Sequence, residues 1–513
     1  MSPQDALKRL KVLDHEARLL EHVAATMSWD QETYMPARAV NERAEQQAVL
    51  QSLVHERNTA PEVGELLATV GADPNGGTET EQESPVVDGL SETDAAFVRE
   101  KQRQFRLATR LPSRLVRELA ETASRGQNAW IGARKADDYG QFKPWLDALI
   151  GLNREMADAL GHGGQRYDAL LDQYEPYTTT DEVRSVFATV RNGLVALVGR
   201  ISERPQVEDS FLQTSFDVDR QEEMSRRVMR ALGYELDRGR LDRSAHPFTT
   251  TLGSHDVRIT TRYDEKLLLS SLFSTIHETG HALYELGVDE DLHGTLLAEG
   301  TSLGIHESQS RMWENMIGRS RAFWERWMPD LRDLFPQQLD GITQEQFYRA
   351  INKVEPSFIR VEADEVTYSL HIILRFELEQ QLISGDLSTD DLPAAWNDKT
   401  KELLGIVPST NAVGVLQDVH WSFGAFGYFP TYALGNLYAA QFMNSMESQI
   451  PDLWSQIAAG NTAPVLSWLR KHIHRYGKAK SAGTLVREIT GAALDPQPFL
   501  SYLNAKYGEL YGV

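Results

Sequence analysis

Along most of this 513-residue chain, apolar residues recur at spacings of three and four, the period of an amphipathic helix. Residues 4–57 show it first, with Ala, Leu, Glu and Arg filling the turns and a break at Met35-Pro36. The pattern returns over 92–136, 144–172, 181–203, 220–233, 264–287, 296–329, 361–384 and 433–460. Short breakers such as Gly163-Gly164 and Pro247 lie between them. These spacings predict a mostly helical, all-α chain. No internal repeat or inter-domain linker interrupts it, so a single body over 1–513 is expected, with an N-terminal helical part over about 1–240.

Two stretches depart from the helical period. Ala72–Asp94 carries Pro, Gly, Thr, Ser and acids with hardly any apolar residue, which predicts a solvated acidic loop. Within 246–263, β-branched and polar residues alternate from His255 to Tyr263, the pattern of a half-exposed strand. That strand precedes the helix expected over 264–287.

Composition narrows the chemistry. With 41% hydrophobic residues the chain buries an ample core, which excludes disorder over most of its length. A formal charge of −22 repels phosphate backbones, so nucleic acid is excluded as the expected partner. There is no cysteine, which removes disulfides, thiolate metal sites and thiol nucleophiles together. A metal must then sit on His, Asp or Glu. The first twenty residues scatter charge throughout, and no segment approaches 18 consecutive apolar residues. A cytoplasmic protein without a membrane partner is expected.

Residues 277–281 read His277-Glu278-Thr279-Gly280-His281, an H-E-x-x-H. On a helix, positions i and i+4 share a face, so both imidazoles can reach one ion while Glu278 projects beside them towards a water. Leu267, Leu268, Leu272, Phe273, Ile276 and Leu283 supply the apolar stripe that such a helix needs. Gly280 within it costs about 1 kcal/mol relative to Ala, a local violation more expected at a functional site than in plain scaffold. A catalytic zinc takes three protein ligands and leaves one position open. The segment Ala298–Arg311 offers Glu299, His306 and Glu307; the two acids lie 18 and 26 residues beyond His281, and spacing does not choose between them. His306 could instead be a core histidine or one that orients a ligand.

Six ordered motifs extend the picture. They are His246-Pro247-Phe248, Asp256-x-Arg258-x-Thr260, His277-Glu278-x-x-His281, His306-Glu307-Ser308-Gln309, Ile359-Arg360-x-x-Ala363-Asp364 and Gly414-x-x-Gln417-Asp418-x-His420-Trp421. In these the chain resembles the Taq-type thermostable carboxypeptidase family of zinc metallocarboxypeptidases. The resemblance implies an almost wholly helical fold with a long deep cleft, a small sheet beside the zinc helix, and a homodimer. It implies Zn²⁺ (Co²⁺ as a substitute) on His277, His281 and Glu307, with Glu278 as general base. The catalytic motifs would then span 246–428.

Further roles follow from the resemblance and from chemistry together. His420 and Tyr428, eight residues apart in a Gly-rich aromatic stretch, are candidates for stabilising the oxyanion. Arg360 is the candidate for the substrate's terminal carboxylate, because a guanidinium binds carboxylate through two parallel hydrogen bonds. Its alternative is an ion pair with Glu362 or Asp364. His246, Arg258 and Gln417 are further substrate-binding candidates, Arg258 more as part of the cleft wall. Asp256, Asp364 and Asp418 are candidates for orienting ring N–H groups. A peptide adding to the strand beside the zinc helix would be read through its main chain, which implies broad specificity. An oligopeptidase or peptidyl-dipeptidase on the same scaffold, and a silent metal-binding scaffold, are the alternatives.

Overall fold

The structure is a computed structural model that describes residues 1–76 and 89–513. Helices make up 67% of it, and one three-stranded sheet is the only sheet among the described residues, in agreement with the expected class. Most of the acidic loop expected over 72–94 lies outside the described residues. Its far end is already helical, because the helix Glu92–Arg110 begins there. Among the described residues no helix is long and apolar enough to cross a membrane.

The chain forms two compact units. The first comprises Met1–Ala108, Val207–Ile351 and Tyr438–Ala493. Its N-terminal helix, Pro3–Thr33, starts where the Ser2 side chain accepts the Asp5 N–H and ends just before Met35-Pro36, as expected. Leu7, Leu10 and Leu13 on one face pack with Val63, Leu67, Phe97 and Phe105 into a core. Lys101 is buried there with its ammonium 2.9 Å from Asp14 and 2.8 Å from Asn58, so the charge is paired and hydrogen-bonded.

The sheet also belongs to this unit. The strand expected over 246–263 is a hairpin of β2 (Phe248–Gly253) and β3 (Asp256–Thr261). A short β1 (Leu241–Arg243), which the alternation did not reveal, pairs parallel to β3 on its other side. β2 is thus an edge strand, registered Thr249 to Ile259 against β3. Val257 and Ile259 of β3 are fully buried, while β2 is half-buried throughout. Next comes the helix Leu268–Glu285, whose buried Leu268, Leu272, Phe273, Ile276 and Leu283 form the expected stripe. Leu267 does not join it: it caps the helix and is exposed.

The helix expected over 296–329 is three pieces. Leu303–Arg311 is α-helical, Met312–Ile317 widens into a π-helical turn, and Arg321–Leu334 follows. Such π-helical insertions are frequent at functional sites.

The second unit comprises Thr109–Gln206, Asn352–Leu437 and Leu494–Val513. Its central helix, Tyr368–Ser384, is buried on nearly every face. It starts seven residues later than expected, because Asp364 accepts the Val366 and Thr367 N–H groups and so caps the preceding turn. His371, Arg375 and Glu379 form a polar stripe along it at four-residue steps, and all three are buried.

Candidate metal centre and its surroundings

In the first unit, helical geometry stacks His277 and His281 one turn apart, with ring centroids 4.8 Å from each other. The helix Leu303–Arg311 faces them, capped by Ser302, whose side chain accepts the Ile305 N–H. It aims Glu307 at both rings. Glu307 Oε2 lies 3.8 Å from His277 Nε2 and 3.6 Å from His281 Nε2. Donors around a four-coordinate ion at bonds of about 2 Å stand roughly 3.3 Å apart. The two imidazoles and the carboxylate bring their ligand atoms within 4.8 Å of one another, a set that could hold a metal ion after a small contraction. Glu299, the rival in sequence, is paired instead with Arg18 and Lys478.

Gly280 explains how the two helices come so close. A Cβ there would sit 2.7 Å from Ser310 Cα and 2.9 Å from the Gln309 carbonyl oxygen, both backbone atoms that cannot swing away. The residue that weakens the helix locally is therefore the one that admits Glu307.

Charge reinforces the arrangement. Burial pushes the Glu307 carboxyl up, but Arg311 and the two histidines outweigh it and hold Glu307 well below the usual carboxylate range. Arg311 Nε is 2.7 Å from Glu307 Oε1. Burial, helped by His306 and His277, carries His281 down to about 3 against the pull of Glu307, so its ring is neutral and able to ligate.

Glu278 is not part of this triad. It is buried, and burial raises its pKa against the opposing effects of His277 and Thr249. The Thr249 hydroxyl of β2 lies 2.7 Å from Glu278 Oε2 and 2.9 Å from the Glu278 main-chain carbonyl. An edge strand thus fixes the carboxylate beside the histidines. Thr249→Val keeps the shape and removes the donor. We expect kcat to fall about tenfold with KM and metal content unchanged, as steady-state kinetics and metal analysis would read.

The acids that orient the histidine rings are not those proposed from sequence. Glu314, in the π-helical turn, lies 2.8 Å from His277 Nδ1, and burial is outweighed by Arg311 and His277 so that its pKa falls to about 2. His281 Nδ1 meets His306 instead, which in turn meets Glu285. Asp256 is engaged with Arg258, Asp364 with Thr367 and the turn before it, and Asp418 with two arginines. Thr249, Glu285 and Glu314 carried no sequence signal.

The remaining candidates fall into two groups. In the first unit, His246 is exposed before β2, and Arg258 stacks 4.3 Å over the Trp29 ring while paired to Asp256. In the second unit, Arg360 is buried and pairs through Nε and Nη2 with Asp418, not with Glu362 or Asp364. Gln417 accepts the Arg360 N–H at 2.9 Å and so sets its backbone. Arg375 from the polar stripe takes the other oxygen of Asp418. Glu379 accepts from Tyr167, Trp421 and the Gly427 N–H, which pins the segment bearing His420 and Tyr428. Their rings stand 5.3 Å apart, and burial carries His420 down to about 4.

Residues 9–507 match the family described as Carboxypeptidase Taq (M32) metallopeptidase. The chain belongs to that family. It is 43% identical, over the full length of both chains, to thermostable carboxypeptidase 1 of Thermus thermophilus. Against carboxypeptidase 1 of Bacillus subtilis it is 39% identical over 95% of each chain. The crystal structure of the M32 carboxypeptidase from Deinococcus radiodurans R1 superposes with a TM-score of 0.94 at 40% identity, covering 99% of this chain and 100% of that one. As a member of the M32 family the protein is a metallocarboxypeptidase, and the family implies a metal and peptide substrates.

Proposed function

We propose that this M32 enzyme is a zinc-dependent carboxypeptidase that removes residues from the C-terminus of peptides with broad specificity. The observation that carries the reading is Glu278. It is a buried carboxylate with a raised pKa, held by Thr249 beside the His277, His281 and Glu307 cluster yet outside the ligand set. A structural metal site has no use for such a group.

Zn²⁺, or Co²⁺ in its place, would act as the Lewis acid that acidifies water and polarises the scissile carbonyl. Glu278 takes the proton of the attacking water at its carboxylate and later returns it to the leaving amine. A group with a raised pKa suits both halves of that exchange. Edge strand β2 offers main-chain groups to an extended substrate, which reads no side chains and supports broad specificity. His246 and Arg258 flank that strand as candidate substrate contacts.

On the second unit, Arg360 and Arg375 share one carboxylate, Asp418, with the buried Glu379 one turn beyond Arg375. Arg360 is the candidate to hold a substrate carboxylate, with Gln417 its support. His420 and Tyr428 are the candidate oxyanion donors. A homodimer in the cytoplasm belongs to the same reading.

The deciding experiment compares a peptide with its C-terminally amidated twin. Losing a charge-assisted carboxylate contact should slow release of the terminal residue by about 100-fold. Equal rates on both would turn the reading to an oligopeptidase or peptidyl-dipeptidase.

A further inference from the structure

The two metal-binding histidines are oriented by unlike partners. His277 Nδ1 meets the Glu314 carboxylate directly at 2.8 Å. His281 Nδ1 meets another ring: His306 Nδ1 lies 2.5 Å away, and His306 Nε2 lies 2.7 Å from Glu285 Oε1. Glu285 is one turn beyond His281 on the same helix, and the side chain that links them comes from the facing helix. Glu285 also accepts the Gly300 N–H at 3.2 Å.

With one hydrogen on each imidazole, placement in this chain of three groups has one consistent solution. The Glu285 carboxylate only accepts, so His306 must carry its hydrogen on Nε2. His306 then presents a bare Nδ1. His281 must donate to it from Nδ1, which leaves the lone pair on His281 Nε2, the atom facing Glu307. The opposite setting, with a hydrogen on His306 Nδ1, would place hydrogen on His281 Nε2 and block ligation.

The surroundings are shaped for the linking ring. A Cβ on Gly300 would lie 2.6 Å from His306 Cδ2, so only glycine leaves room for it. The Tyr284 ring tilts against His306 at 5.1 Å. Burial pushes Glu285 up, but His306 and the Gly300 N–H outweigh it and leave the carboxyl below its ordinary value.

We propose that Glu285, acting through His306, is a positioning residue that sets His281 in the Nδ1–H tautomer and so prepares its Nε2 for the metal. The inference rests on the metal-centre reading above. Carboxylates that orient a ligand ring are typically worth 10- to 100-fold in metal affinity.

The test has two readouts. Nitrogen-15 histidine spectra of the metal-free protein, with His281 assigned by its loss in His281→Gln, read the tautomer directly. Competition with a chromophoric chelator reads the Zn²⁺ affinity of wild type, Glu285→Gln, His306→Phe and the double variant. The expected result is an Nδ1–H His281 in wild type and a 10- to 100-fold weaker Zn²⁺ affinity in each single variant. The double variant should be no weaker than His306→Phe, because Glu285 acts only through that ring. An Nε2–H His281 in the metal-free wild type, or wild-type affinity in Glu285→Gln, overturns the proposal. An Nδ1–H ring in a protein that binds no Zn²⁺ would sustain the tautomer assignment and remove the metal reading instead, so the two failures are distinct.

Discussion

Glu278→Gln is expected to leave a folded protein that binds its metal at wild-type stoichiometry and turns over 10²- to 10⁴-fold more slowly. The substitution preserves the shape of the side chain. Its amide oxygen can still accept from Thr249 as Glu278 Oε2 does, at 2.7 Å. No ligand is lost, because His277, His281 and Glu307 form the cluster without it. What the amide cannot do is take a proton from water. The loss should therefore appear in kcat with little change in KM, since a proton acceptor serves the transition state and not ground-state binding. Steady-state kinetics beside metal analysis decide it. Turnover within tenfold of wild type would strip Glu278 of the general-base role.

Glu307→Ala is expected to remove metal and activity together, whereas Glu299→Ala keeps both. Glu307 would supply the one negative charge among the three candidate ligands, and its removal leaves the partly buried Arg311 facing two imidazoles. Metal affinity should fall by about 10³-fold or more. Glu299 is occupied by Arg18 and Lys478, so truncating it costs only partly exposed ion pairs. Thermal unfolding makes the distinction visible, because a ligand of the native state raises Tm in proportion to the logarithm of its excess over Kd. Added Zn²⁺ should raise the Tm of wild type and of Glu299→Ala, and leave that of Glu307→Ala unchanged. A shift in Glu307→Ala but not in Glu299→Ala would reassign the third ligand.

The parts of this site that could be read from sequence are those in which chain neighbours are also neighbours in space. Helical period alone joins His277 to His281, and the apolar residues around them show that the helix forms. The choice between Glu299 and Glu307 depends on how residues 286–302 cross between two helices, and no local pattern encodes that path. Thr249 reaches Glu278 across a strand register, and Glu314 reaches His277 only because the helix widens into a π turn. For Arg360, a substrate-carboxylate candidate, the ion-pair alternative offered acids two and four residues on; Asp418, its partner in the structure, stands 58 residues away and is shared with Arg375. The expected helix over 361–384 began too early for a similar reason. Asp364 takes backbone N–H groups that a continuous helix would have used. β1, three residues long, was too short to display a period.

The contact at Gly280 also bears on which ions the enzyme accepts. Where two helices touch through main-chain atoms, their separation is a rigid gauge, because no side chain can fold aside to widen it. Calcium takes six to eight oxygen ligands, more donors and harder ones than two imidazoles and a carboxylate supply. Ions that settle for four partners and favour imidazole suit that set better. The missing methyl group at Gly280 is what lets the set assemble from two helices.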